Sequence, residues 1–178
     1  MYHDILTFWF SEIDPKTWWA ADPVFDESLR KRFLPVLEQG ARGELFAWRE
    51  RAQGRLAEII VLDQFSRNIY RDTPAAFAQD GMALVLAQEA VTAGALSVLT
   101  PPEKAFLLSP YMHSESRNIH AQAETLYQAH APSSNLEFER RHKAIIDRFD
   151  RYPHRNEILG RTSTAEELAF LKQPGSRF

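Results

Sequence analysis

The sequence predicts an all-α protein, and three observations carry that prediction. Apolar residues recur at three- and four-residue spacing, prolines and capping residues open helices one after another, and no stretch alternates as a strand would. A first helix starts near Asp4. Asp22-Pro23 reads as an N-cap with proline at the first helical position, and Phe25, Leu29, Phe33, Val36 and Leu37 follow at helical spacing to a stop at Gly40. Pro35 should kink that helix or end it early. A helix over about 49–66 puts Leu56, Ile59, Ile60 and Asp63 on one stripe. Thr73-Pro74 opens the next, carrying Phe77, Leu84, Val85, Ala87 and Val91 towards Gly94 as a C-terminal stop. Thr100-Pro101-Pro102-Glu103 has the form of a capping box, and Pro110 limits the helix it opens. A further helix runs from near Ser114 to about His130. Ser133 or Ser134 caps another, with Phe138, Ile145, Ile146 and Phe149 inward and Pro153 at its end. Ser163-Thr164-Ala165-Glu166 reads as a second capping box before a short last helix. The sum is about eight helices with short loops, which favours antiparallel pairing of neighbours. No linker divides residues 1–178 into more than one domain.

Composition narrows the chemistry. Without cysteine there is no disulfide, thiolate nucleophile or cysteine-bound metal, and nothing points to an oxidising compartment. The first apolar run, Ile5 to Phe10, is too short for a signal-peptide core or a membrane span, so the chain reads as cytoplasmic. A net charge of −3 argues against a general nucleic-acid binder. The excess of Lys and Arg between Arg140 and Arg161 reads first as a solvated helix face. His-Glu-x-x-His, EF-hand, P-loop, Gly-x-Gly-x-x-Gly and Gly-x-Ser-x-Gly motifs are all missing, so neither a metal nor a cofactor is expected.

Polar residues on apolar faces mark the candidate site, because helix logic tends to fail where function intervenes. Asp63 sits on the stripe of Ile59 and Ile60 with Arg67 one turn on. The two can form an internal salt bridge, or Asp63 can hold Arg67 as a fork for a ligand carboxylate or phosphate. His113 and Glu115 flank Ser114, where a carboxylate can cap a helix or orient a histidine for acid–base work. His142 falls on the buried stripe of Phe138 and Ile145, as a satisfied core residue or as part of a site. The turn Pro153-His154-Arg155-Asn156 offers several donors, suited to an anion or to capping the preceding helix.

These blocks also carry a resemblance. Leu62-Asp63-Gln64-Phe65-Ser66-Arg67-Asn68-Ile69-Tyr70-Arg71, Met112-His113-Ser114-Glu115, and Tyr152-Pro153-His154-Arg155-Asn156 with Gly160-Arg161 resemble the signature blocks of the bacterial domain-of-unknown-function 924 family. Phe8-Trp9-Phe10, Trp18-Trp19 and Phe25-Asp26 are similar to its opening. The resemblance implies a tetratricopeptide-like arrangement, helix pairs in a right-handed superhelix, and brings no reaction with it. Ser66 stands where the family pattern has proline and Asp150 where it has glycine. If that glycine serves a positive φ, Asp150 must adopt one.

Two functions follow as expectations. In the first, Asp63, Arg67, Asn68, His154, Arg155 and Asn156 line a cavity for a small anionic ligand, with His113, Glu115 and His142 supplying acid–base chemistry. In the second, the helices form a tetratricopeptide-like module for a peptide or protein partner, and the polar residues only lock the helices together.

Overall fold

The computed structural model describes residues 1–176, and among them every regular element is helical. The elements are α1 (Tyr2–Thr7), α2 (Pro23–Ala41), α3 (Ala52–Ile60), α4 (Ser66–Ile69), α5 (Asp80–Thr92), α6 (Pro101–Met112), α7 (Arg117–His130), α8 (Ser133–Phe149) and α9 (Ala165–Phe170). Short 3-10 turns join several of them. No helix among the described residues is long and apolar enough to cross a membrane.

The strongest local signals behave as the sequence predicts. Asp22 accepts from the backbone N–H groups of Val24 and Phe25 at the start of α2, and Thr100 with Glu103 forms a capping box on α6. Gly94 takes a left-handed conformation after α5. Asp150 ends α8 with φ 58°, the positive angle required at that position.

Other boundaries move. The second capping box is Thr164 with Glu167, one residue later than expected, because paired Ser163-Thr164 and Glu166-Glu167 offer two registers. The expected 49–66 helix is α3, a π-helical turn over Val61–Phe65, and α4; residues Phe46–Glu50 form a separate 3-10 turn. Thr73-Pro74 opens a 3-10 turn, Pro74–Phe77, ahead of α5. Pro35 and Pro110 both lie inside their helices, so neither ends one. The helix expected from Ser114 begins at Arg117, and α8 starts after Pro132 without a side-chain cap from Ser133 or Ser134. Phe138 and Val85, expected inward, are 46% and 56% exposed; the Phe138 ring instead stacks on Trp19.

The core is organised around α3, which packs on α1, α5 and α6 at once. That reach goes beyond the neighbour-to-neighbour contacts of a stacked solenoid. Leu56, Ala57, Ile59, Ile60, Val61, Leu62 and Phe65 are all fully buried, so the run from the middle of α3 into the π turn is enclosed, while Gln53, Arg55 and Gln64 are half-buried. Ile145, Ile146 and Tyr152 form a smaller cluster with Phe149 and Phe170. Consecutive helices α5, α6, α7 and α8 pack in sequence beside the centre.

Gly54 permits the closest backbone approach. A Cβ there would lie 2.0 Å from the carbonyl oxygen of Trp48, so only glycine lets the Phe46–Glu50 turn rest on α3. Gly81, on the first turn of α5, has open space around it. Gly54→Ala should therefore destabilise the protein by at least about 2 kcal/mol by forcing backbone apart, whereas Gly81→Ala should stabilise it by up to about 1 kcal/mol through helix propensity. Urea unfolding of both variants checks this; equal effects would contradict the packing at Trp48.

Candidate functional site

The π turn places Asp63 in the interior, where a carboxylate must be compensated. Its Oδ1 meets His113 Nδ1 at 2.8 Å and Arg67 Nη1 at 2.8 Å, and its Oδ2 accepts from Gln64 at 2.7 Å. Arg67 also donates to the carbonyl of Asp63 at 3.0 Å, one turn back, which ties the fork to the same π turn. Single π turns of this kind recur at functional sites. Burial would raise the Asp63 carboxyl, but the Arg67 charge and the His113 contact outweigh it and hold the group well below the usual carboxylate range.

Arg67 reaches past Asp63 to Asp80, with Nη2 3.0 Å from Oδ2. Arg155 Nη1 approaches the same oxygen at 3.2 Å. One aspartate at the start of α5 therefore joins two arginines from segments far apart in sequence. The Arg155 guanidinium carbon lies 4.6 Å from the ring centres of both Phe77 and Tyr152, a cation held between two aromatic faces. Burial, with Arg67 nearby, pushes Arg155 below its ordinary value, although an arginine starts so high that it stays charged.

Three consecutive carbonyls at the end of α6 receive donors from elsewhere. Tyr152 Oη donates to Met112 O at 2.5 Å, Arg155 Nη2 to His113 O at 3.0 Å, and His120 Nε2 to Ser114 O at 2.8 Å. A helix end leaves such carbonyls without partners of its own. Because His120 Nε2 donates to a carbonyl, its Nδ1, 2.7 Å from Glu139, must share a further proton with that carboxylate. Both residues are fully buried, and burial raises the Glu139 carboxyl, with His120 opposing. Glu115 accepts from the Tyr152 N–H at 2.7 Å and from both Nη atoms of Arg161 at 2.6 and 3.0 Å. Arg161 and the other donors outweigh the effect of burial and lower the Glu115 carboxyl.

Beside this network opens a cleft of about 380 Å³, lined by Pro74, Phe77, Ala78, Asp80, Gly81, Leu84, Pro110, His113, Ser114, Glu115, Arg155 and Leu159. That volume is in the range of small-ligand sites. His113 is 18% exposed there. Burial and Arg67 push its imidazole down, against the pull of Asp63, so it is neutral at pH 7. With Nδ1–H donated to Asp63, Nε2 carries the lone pair and has no protein partner among the described residues.

Of the residues singled out in the sequence, His113, Glu115 and Arg155 line the cleft, and Asp63 and Arg67 stand directly behind His113 and Asp80. Asn68 is turned to α2, where with Arg71 it holds Asp26. Asn156 donates to Ser163 and accepts the Arg161 N–H on its carbonyl. His142 is buried, bonded through Nδ1 to Phe138 O and edge-on to Tyr152, and the His154 ring lies 5.5 Å from Tyr152. These four line no part of the cleft. Asp80, Phe77, Tyr152, His120 and Glu139 were not among the candidates, yet they complete the arrangement. No group of His, Asp or Glu among the described residues has the arrangement to hold a metal ion.

Residues 5–175 match the family described as bacterial protein of unknown function (DUF924). The chain belongs to this family. A solved structure of a protein of unknown function from Agrobacterium tumefaciens is similar to the chain, with 34% identity, 96% of each chain covered and a TM-score of 0.91. No curated protein matches the chain. In this DUF924 member the family blocks around Asp63, His113 and Tyr152 meet in one network, and the two departures from the family pattern are accommodated. Asp150 takes the positive φ, and Ser66 continues the helical run from the π turn into α4.

Burial also sets a pH dependence. The His142 imidazole is pushed down from 6.5 to about 3 by burial, opposed by its bond to Phe138. Above pH 6.5 both folded and unfolded chains hold it neutral. Below that, the unfolded chain binds a proton that the folded one does not, so stability falls as pH falls, by about 1.4 kcal/mol per pH unit. His113 is depressed in the same direction. Urea unfolding at pH 7.0 and 5.5 should show this loss, and His142→Leu should reduce it by about 1 kcal/mol. An unchanged loss in the variant would place His142 in water.

Proposed function

We propose that the cleft binds a small molecule and that His113 accepts a proton from it. Asp63 is then the positioning residue, which fixes the imidazole tautomer and stabilises the imidazolium that forms. The carrying observation is the 2.8 Å contact between His113 Nδ1 and a buried aspartate, on a histidine whose other nitrogen is open to the cleft. Buried His120, by contrast, has both nitrogens occupied. His113 has one. Glu115, assigned an orienting part from the sequence, supports the turn rather than the imidazole, since its oxygens go to Tyr152 and Arg161. Arg155 holds the His113 carbonyl and Asp80, and so shapes the floor of the cleft.

Acylation by diethyl pyrocarbonate tests the reading, because the reagent takes an accessible, unprotonated imidazole nitrogen. At pH 7, peptide mapping should find His113 acylated while buried His120 and His142 are spared. Asp63→Asn should slow the reaction at His113 by more than about tenfold, since an amide in that place favours the wrong tautomer. Protection of His113 equal to that of His142 would overturn the proposal.

A further inference from the structure

We infer that the cleft is built for an uncharged ligand that presents a hydroxyl or N–H to His113 and an apolar body to Phe77 and Leu84. The inference rests on the reading of His113 as a base and adds the substrate class.

Charge balance argues first. Three carboxylates, Asp63, Asp80 and Glu115, face three guanidiniums, Arg67, Arg155 and Arg161, in ion pairs of 2.6 to 3.2 Å. His113 adds no charge. The group is therefore neutral as it stands, in a site that is mostly out of water.

Valence argues next. An anion needs free donors it can reach, but the Nη atoms of Arg67 go to Asp63 and Asp80 and those of Arg155 to Asp80 and the His113 carbonyl, while the Nε atoms of Arg155 and Arg161, which have no partner, are buried away from the cleft. A ligand carboxylate or phosphate could reach them only by displacing Asp80, which would strand a second carboxylate. A cation needs free acceptors it can reach, yet Asp80 Oδ2 and both Glu115 oxygens are held by donors, and Asp80 Oδ1, 2.9 Å from Arg67 Nη1, is buried. The Arg155 guanidinium also covers the Phe77 ring at 4.6 Å, where a ligand cation would seek its π face. What remains open is the Nε2 lone pair, a neutral acceptor, set among Phe77, Leu84, Pro110 and Leu159. Such a site rewards one hydrogen-bond donor on an apolar frame, and rejects an added formal charge more strongly than a changed shape.

A matched series decides it on the wild-type protein: benzyl alcohol, benzyl methyl ether, benzoate and benzylamine, titrated in 150 mM salt and followed through the methyl signals of Leu84 and Leu159 and the imidazole of His113. Benzyl alcohol should move all of them. Benzoate and benzylamine should bind at least about tenfold more weakly, and the ether, lacking the donor, several-fold more weakly with no change at His113. Asp80→Asn, which leaves one positive charge unpaired, should tilt the ranking about tenfold towards benzoate. Benzoate or benzylamine binding the wild type as tightly as the alcohol overturns the inference, as does failure of all four to move the cleft signals. Diethyl pyrocarbonate separates the two levels. Acylation at His113 with a preference for benzoate sinks the uncharged class and leaves the base standing, whereas a protected His113 sinks both.

Discussion

The end of α6 is the constraint on which the rest of the structure depends. A helix that stops in the interior exposes carbonyl oxygens at its negative pole, and each one left bare would cost about 1–3 kcal/mol. Here the carbonyls of Met112, His113 and Ser114 take donors from Tyr152, Arg155 and His120. Two of those donors come from the turn after α8 and one from α7, so satisfying one helix end fixes the position of three segments. It also fixes His113, whose backbone lies at the centre of the three. The family blocks that carry Tyr152 and Arg155 are therefore explained first by a structural need.

On the other side of His113, α3 sets the constraint. The π turn that follows it brings Asp63 into the interior, where the carboxylate is compensated by Arg67, Gln64 and His113. Removing one partner from a buried pair typically costs about 3–5 kcal/mol, because the other is left charged and dry. Arg67 passes the demand on to Asp80, and Asp80 shares it with Arg155, which returns to the end of α6. Most of the network closes on itself; the Nε atoms of Arg155 and Arg161 are left without a partner but buried, and His113 Nε2 is the nitrogen that opens on the cleft. Closure gives rigidity, and the single opening gives chemistry a place to start.

How much of this the sequence shows follows from the range of each interaction. Asp22-Pro23 and Thr100 to Glu103 are legible because a cap and its donors lie within three residues of each other. Asp63 stands out because a charge on the stripe of Ile59 and Ile60 is a local contradiction, and the structure does bury it. Asp80 does not stand out, since an acid in the first turn of a helix is what the dipole favours anyway; its two arginines are 13 and 75 residues away. Asn68 adjoins Arg67 in sequence, but one residue along a helix turns the side chain by about 100°, enough to face α2 instead. The π turn is invisible to a 3.6-residue template, and Phe138 lies outside the expected core because Trp19, 119 residues earlier, offers it a stacking partner at the surface.

The central claim is that His113 stands neutral, with its proton on Nδ1 towards Asp63 and its lone pair on Nε2 towards the cleft. Nitrogen-15 chemical shifts of the imidazole, followed from pH 8 to pH 5.5, measure both properties in one titration. The account predicts the Nδ1–H tautomer for the neutral ring and a midpoint below 6.5, because burial and Arg67 depress the group. An Nε2–H tautomer, or an ordinary titration centred at 6.5, would contradict it.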